Sequence, residues 1–243
     1  MICEKIQSYL GMNIEVQDHA IIVDMYYYIK QLLSEVSSKL TSYKTPVAKE
    51  CFQIATMNSP FLDIDAKKKF HTIVAKLLYL AKRARPDLLT VVSFLCTKVK
   101  TPTQRDQTKL IRVLGYLQNT KDLKYNIKPR EPLKIMACID AVFAAHDDSK
   151  SHSGVVVFVA GMLVYASSKK QGCVTKSPTE SELVALTDNI GLVELFTEFV
   201  TFLVNDKIAS SSVVSLVTLG GGVTRTKHLR NRMHLAKETV DLN

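Results

Sequence analysis

Between Lys134 and Gln171 the chain holds three successive β-type runs, KIMACIDAVF, SGVVVFVAG and MLVYASSKKQ, rich in β-branched and apolar residues and separated by polar or glycine-bearing breaks. The last two meet at Ala160, Gly161 and Met162, a connection short enough for a tight turn, so the three predict an antiparallel meander. A sheet of this kind needs a second layer over its apolar face. The stretch SPTESELVALTDNIGLVELFTEFVTFLV can supply it: it is strongly helical, opens on a Ser/Thr cap before Glu180, and predicts a break at Asp188, Asn189 and Gly191 that makes two helices. SSVVSLVTL reads as a further strand, GGGV as a turn, and RTKHLRNRMHLAKETV as a final basic helix.

The first run carries an aspartate, Asp140, between apolar Ile139 and Val142. A lone carboxylate in such a setting is costly unless something binds it. Two readings follow: Asp140 is a site residue at a strand end, or it caps the turn that runs through HDDSKSHSG.

Upstream of residue 130 the pattern is different. SYLGMNIEV and HAIIVDMY predict a small hairpin, and YYYIKQLLSEVSSKL a helix with Ile29, Leu32, Leu33 and Val36 on one face. KKKFHTIVAKLLYLAKRA, PDLLTVVSFLCTKVK and PTQRDQTKLIRVLGYLQNT predict three packed helices, with Pro86 and Pro102 each suited to a first turn. The polar NTKDLKYNIKPREP then reads as a linker, which puts a domain boundary near residue 130, between segments 1–130 and 131–243.

Charge divides at the same place. The chain is +9 overall, with +10 in residues 1–130 and −1 in the remainder. Lys67, Lys68, Lys69, Lys82, Arg83 and Arg85 stand near helix ends, while Arg105, Lys109 and Arg112 follow one helical face. That asymmetry points to a polyanion such as nucleic acid, the bland alternative being solvated helix faces. No apolar run is long enough to cross a bilayer and MICEKIQSYLG lacks a signal-peptide core, so an intracellular protein of cytoplasm or nucleus with no membrane partner is expected. Five dispersed cysteines without a CxxC pair argue against a zinc site and against a disulfide framework.

The motifs IDAVFAAHDDSKSHSG, SSKKQ, KSPTESELVALTDN and TRTKHLRNRMHLAKE, in that order, resemble the ribonuclease H end of a Copia-type LTR retrotransposon Pol polyprotein. YLGMNIEV, FHTIVAKLLYLAKRARPDL and LIRVLGYLQNTKDL resemble the end of the reverse transcriptase that precedes it in that family, so the resemblance spans nearly the whole chain. It implies an α/β ribonuclease H-like mixed sheet with helices, preceded by a small hairpin and a helical thumb or connection unit. The implied activity is hydrolysis of the RNA strand of an RNA–DNA hybrid with two magnesium ions held by carboxylates, chemistry that requires hard oxygen ligands. An intact element polymerase is a further implied partner.

Residue by residue, Asp140 matches the family's first-strand aspartate, which bridges both metals. Glu180 and Glu182 point roughly 200° apart on a helix, and Glu182, immediately before Leu183, matches the family's helical carboxylate. Glu180 is then a first-turn residue that favours the helix dipole. Aligning on VVSLV puts Ala209 where the third carboxylate belongs; Asp206, three positions earlier, is the nearest acid and reaches the site only through a register shift that flips alternate side chains. Arg230 stands where many ribonucleases H have a fourth acid. Lys150, His152, Lys169 and Lys170, with Arg225, Lys227, His228 and Arg232 of the last helix, are candidates for contact with the hybrid backbone. Asp147 and Asp148 read as turn residues.

The family's polymerase aspartates, in a YVDD-like turn, lie upstream of the segment that YLGMNIEV resembles. Only Asp63 and Asp65 alternate before residue 130, in a loop, so polymerisation by this chain alone is not expected. The alternative to an ancestral ribonuclease H that keeps its activity is a non-catalytic nucleic-acid-binding module, a decayed or host-adopted copy.

Overall fold

A computed structural model of the chain describes residues 6–36, 40–48, 59–130, 133–204 and 214–218. The chain divides into two compact units, Met1–Lys128 and Pro129–Asn243. Its class is mixed α/β, with one four-stranded sheet in each unit.

In the first unit, β1 (Ile6–Tyr9), β2 (Met12–Gln17), β3 (Ala20–Asp24) and β4 (Tyr125–Ile127) form an antiparallel sheet in sequential order. The predicted hairpin is its β2–β3 centre, paired from Asn13↔Asp24 to Gln17↔Ala20. Strand β1 joins it through Leu10 and Gly11, both at positive φ (49° and 74°), the conformation a two-residue hairpin turn demands. Strand β4 corrects the linker reading. YNI is too short and polar to announce itself, and becomes a strand by pairing Tyr125 with Val23 across about a hundred residues.

Among the described residues, four helices follow β3 in chain order: α1 (Tyr26–Ser34), α2 (Ile64–Ala81), α3 (Leu89–Cys96), entered by a 3-10 turn at Pro86–Leu88, and α4 (Gln104–Asn119). Pro86 sits in its first turn as expected. Pro102 lies one residue outside, because Thr103 is the N-cap of α4: its hydroxyl accepts from the Asp106 amide, and the Asp106 carboxylate accepts from the Thr103 amide. Phe70, Val74, Leu77, Leu88, Val92, Leu95, Leu110, Val113 and Leu117 form the buried interior. The segment 40–48 lies against α4 at Gly115, where an added Cβ would collide with the Thr41 carbonyl oxygen.

Arg85, expected near a helix end with the surface cations, is instead 1% exposed. Its Nε and Nη2 donate to the two carboxylate oxygens of Asp87 at 2.9 and 2.8 Å, Nη1 to the Thr120 carbonyl at 2.9 Å and Nη2 to the Thr120 hydroxyl at 2.7 Å. The Tyr116 hydroxyl adds a donor to Asp87 at 2.9 Å. A buried charge is tolerated when its hydrogen bonds are all met, and this fork ties the turn before α3 to the end of α4.

The second unit has a sheet of order β7-β6-β5-β8: β5 (Ile135–Val142), β6 (Lys150–Val159), β7 (Met162–Val174) and β8 (Val214–Thr218). The meander β5–β6–β7 is antiparallel, and its second turn is Ala160–Gly161 at φ 50° and 72°. Strand β8 runs parallel to β5, Ile135↔Val214 through Ile139↔Thr218. Helix α5 (Pro178–Val204) crosses over between β7 and β8 as one continuous element; no break occurs at Asp188, Asn189 and Gly191. Its buried stripe explains why: Ala185, Val193 and Val200 pack on Ile135, Ala137, Ile139, Val155 and Val157, and the stripe runs straight past Gly191.

Strand β6 begins three residues earlier than SGVVVFVAG suggests, and its first half is polar and buried. Each polar side chain is matched across the sheet or the turn: Ser151 to Thr175 (2.9 Å), Ser153 to Gln171 (2.9 Å), and His152 to His146 (3.0 Å) and to the Ser168 hydroxyl (2.7 Å). Burial, followed by the charge of neighbouring His146, pulls the His152 ring down to a pKa of about 4.

Two outcomes test this packing. Asp87→Ala strands the Arg85 guanidinium and is expected to cost on the order of 3 kcal/mol in urea titration, well above the exposed control Asp122→Ala; equal losses would refute the buried fork. Because the folded state holds His152 neutral below its ordinary pKa of 6.5, the associated stability is complete above about pH 6.5 and is lost as pH falls towards 4. Urea midpoints should therefore drop over that window, by up to about 3 kcal/mol, and His152→Gln should flatten the decline.

Candidate functional site

Asp140 is the third-last residue of β5, opposite Gly154 of β6. Residues 135, 137 and 139 point into the core beneath α5, and Asp140, with the other parity, is exposed. Its Oδ1 accepts from the Ala141 amide at 2.8 Å. The carboxylate therefore stands in solvent on the strand that the rest of the sheet is built around.

The two glutamates of TESEL separate as their helical spacing requires. Glu180 is buried at the helix start, where its Oε2 accepts from the Lys176 amide at 2.6 Å while its own amide donates to the Ser177 hydroxyl at 3.2 Å. Those bonds close the first turn of α5 and add an acid at its positive end. Glu182 falls three and four residues before Ala185 and Leu186, on the stripe that faces the sheet. Its Oε2 is buried and has no hydrogen-bond partner among the described residues. A buried carboxylate oxygen without a partner is uncommon in a folded protein.

Around the β5–β6 turn the cations are organised by Asp148. Lys170 Nζ lies 2.8 Å and Lys150 Nζ 4.0 Å from Asp148 Oδ2, and the Lys170 hydrogen bond is the main reason the Asp148 carboxyl is held below its usual range. Lys169 is exposed one position away, opposite Ser153. His152, read from sequence with these lysines as a backbone contact, is 3% exposed. Strand parity places it on the face of β6 opposite Val155 and Val157, the face that carries Asp140, and there Ser168 and His146 take its ring nitrogens and bury it.

Gln171 was not singled out by the sequence, yet its amide links Ser153 to the Ser181 carbonyl (2.9 and 2.8 Å), joining the sheet to the start of α5 beside Glu182. The only sequence signal for it is a polar residue at the end of a predicted strand. Asp63 and Asp65, the alternating acids of the first unit, have local tasks: Asp63 caps α2 through the Ala66 amide, and Asp65 is in the first turn. Asp206, Ala209, Arg225, Lys227, His228, Arg230 and Arg232 lie outside the described residues. Among the described residues, no group of three or more His, Cys, Asp or Glu side chains could hold a metal ion, and no helix is long and apolar enough to cross a membrane.

No protein-family model matches the chain, and no solved structure matches it. Curated relatives do. A putative transposon Ty5-1 protein of Saccharomyces cerevisiae is 29% identical over 192 residues, covering 76% of this chain and 61% of that protein. An uncharacterized mitochondrial protein of Arabidopsis thaliana is 27% identical over 185 residues, 74% of each. The retrovirus-related Pol polyprotein from transposon RE2 of Arabidopsis thaliana is 37% identical over 115 residues, 47% of this chain but 8% of the polyprotein. The chain thus spans only part of the first of these and a small part of the polyprotein. With transposon proteins among its matches, and those matches running along most of its length, the chain is a relative of the Pol polyproteins of Copia-type retrotransposons.

Proposed function

We propose that this chain corresponds to the end of the reverse transcriptase and the ribonuclease H of a Copia-type Pol polyprotein, and that its second unit is a ribonuclease H-like module that binds RNA–DNA hybrids. The observation that carries the reading is the arrangement around β5. An antiparallel three-strand meander is followed by a crossover helix and by a strand parallel to β5 on its far side. Asp140 stands on that central strand and Glu182 on the sheet-facing stripe of the crossover helix, its carboxylate oxygen unpartnered. These are the two positions at which the family resemblance puts metal-binding acids.

The fit to magnesium is partial. Glu182 offers a free hard oxygen, the donor type magnesium requires, and Asp140 a solvent-facing one. A two-metal clamp needs further carboxylates to hold both ions, and the described residues supply no group of three. Ala209 stands at the family's third position, and Asp206, three residues earlier, is the nearest acid. Binding without efficient cleavage is accordingly the favoured present activity, with exposed Lys169 and the Asp148-organised pair Lys150 and Lys170 on the phosphates.

Hybrid binding should fall steeply with salt, as counterion release dictates. Lys169→Gln should lower the slope of log K against log salt by about 1. An unchanged slope would remove Lys169 from the interface. In magnesium, end-labelled hybrid should show at most trace hydrolysis, and Asp140→Asn should abolish the trace. Rapid metal-dependent cleavage that Asp140→Asn and Glu182→Gln both eliminate would overturn the binding-only reading and establish an intact nuclease; absence of both binding and cleavage would refute the module itself.

A further inference from the structure

In the first unit a cavity of about 390 Å³ opens between the chain at Pro46–Ala48 and the first half of α4. Arg105, Thr108, Lys109 and Arg112 line it, at the i, i+3, i+4, i+7 spacing of one helix face. These three cations are the ones the sequence aligns on a helical face, and the hybrid-binding reading of the second unit makes no use of them.

Like charges a turn or two apart on a helix repel, and retaining them has a cost unless something offsets it. Asp106 offsets part of it. Its Oδ1 is 3.9 Å from Lys109 Nζ, while its Oδ2 is engaged by the Thr103 amide and hydroxyl at 3.0 and 2.7 Å. Lys109 also rests on the Phe94 ring, 4.5 Å from its centroid, which holds the ammonium in place.

Arg112 is the anchor. Its guanidinium lies 4.5 Å over the Tyr43 ring and Nη2 donates to the Thr45 hydroxyl at 3.1 Å, so its plane is fixed by the segment that Gly115 allows to approach α4. Its Nε is buried, with no hydrogen-bond partner among the described residues. A buried guanidinium N–H without an acceptor is expensive. A pre-oriented guanidinium, a second arginine, a lysine and a hydroxyl around one cavity match the oxygens of a phosphate group, which accept several charge-assisted hydrogen bonds at once.

We propose that this cavity is a phosphate-binding site, in which Arg105, Lys109, Arg112 and Thr108 receive the phosphate of a phosphorylated ligand. The same chemistry serves a small phosphate ester and a nucleic-acid backbone phosphate. The site lies in the first unit and does not rest on the ribonuclease H reading.

Titration calorimetry of the full chain with inorganic phosphate, at ionic strength held constant with chloride, should give saturable binding. Arg105→Gln and Arg112→Gln should each weaken it about tenfold or more, whereas Lys100→Gln, an exposed cation outside the cavity, should change it less than about twofold. Arg112→Lys keeps the charge but loses the planar fork; retained thermal stability with weakened phosphate binding in that variant separates recognition from folding. A second arm uses a labelled ten-nucleotide single strand. Displacement of the strand by phosphate, with loss in the same two arginine variants, assigns the site to backbone phosphate; phosphate binding with the strand unaffected assigns it to a small phosphorylated ligand. No phosphate binding beyond that of chloride, or equal losses in the arginine variants and Lys100→Gln, would overturn the site. Asp140→Asn measured in parallel should leave phosphate binding unchanged, so failure here is distinguishable from failure of the hybrid-binding reading.

Discussion

Strand β5 is the constraint on which the second unit depends. It pairs antiparallel with β6 along its whole length and parallel with β8 over Ile135–Ile139, and its inward residues form the floor of the core beneath α5. A parallel neighbour cannot be reached by a tight turn; it needs a crossover, and α5 is that crossover. Once β5 is fixed, strand alternation decides that Ile139 is buried and Asp140 exposed. Helical spacing likewise decides that Glu182, and not Glu180, shares the stripe that faces the sheet. The chemistry open to the unit follows from these two parities.

Polar burial is handled in the same way in both units, by matching most groups with partners. Arg85 in the first unit spends its donors on Asp87 and Thr120. In the second, Ser151, His152 and Ser153 are buried and matched by Thr175, Ser168 and Gln171. Against that background, Gln107 Oε1, Gln171 Oε1, Glu182 Oε2 and Arg112 Nε are buried without a hydrogen-bond partner among the described residues, and two of these atoms belong to charged groups. One belongs to a carboxylate at a candidate cation position and the other to a guanidinium at a candidate anion position.

Much of the element pattern was legible because it is local. The β5–β6–β7 meander, the Ala160–Gly161 turn, the helices of the first unit and the cap ahead of Glu180 all follow from periodicity, turn residues and capping chemistry. The misreadings share a cause. Asp188–Asn189–Gly191 looks like a helix break in isolation, but the stripe on either side of it buries against the sheet and holds the helix straight. YNI reads as linker until β3 pairs with it, and His152 as a surface cation until His146 and Ser168 close on its ring. In each case a contact distant in sequence outweighs the local preference.

The sequence by itself determined the kinship with Copia-type Pol polyproteins, the concentration of positive charge before residue 130, and the candidates Asp140 and Glu182, because motif order and residue identity survive without coordinates. Tertiary structure alone decided which carboxylate is exposed and which keeps an unpartnered oxygen, that Lys150 and Lys170 gather around Asp148, and that the α4 cations open onto a cavity. The physical reason is that burial and hydrogen-bond satisfaction depend on what packs against a residue, and those neighbours come from elsewhere in the chain: Thr45 for Arg112, Thr120 for Arg85, Ser168 for His152.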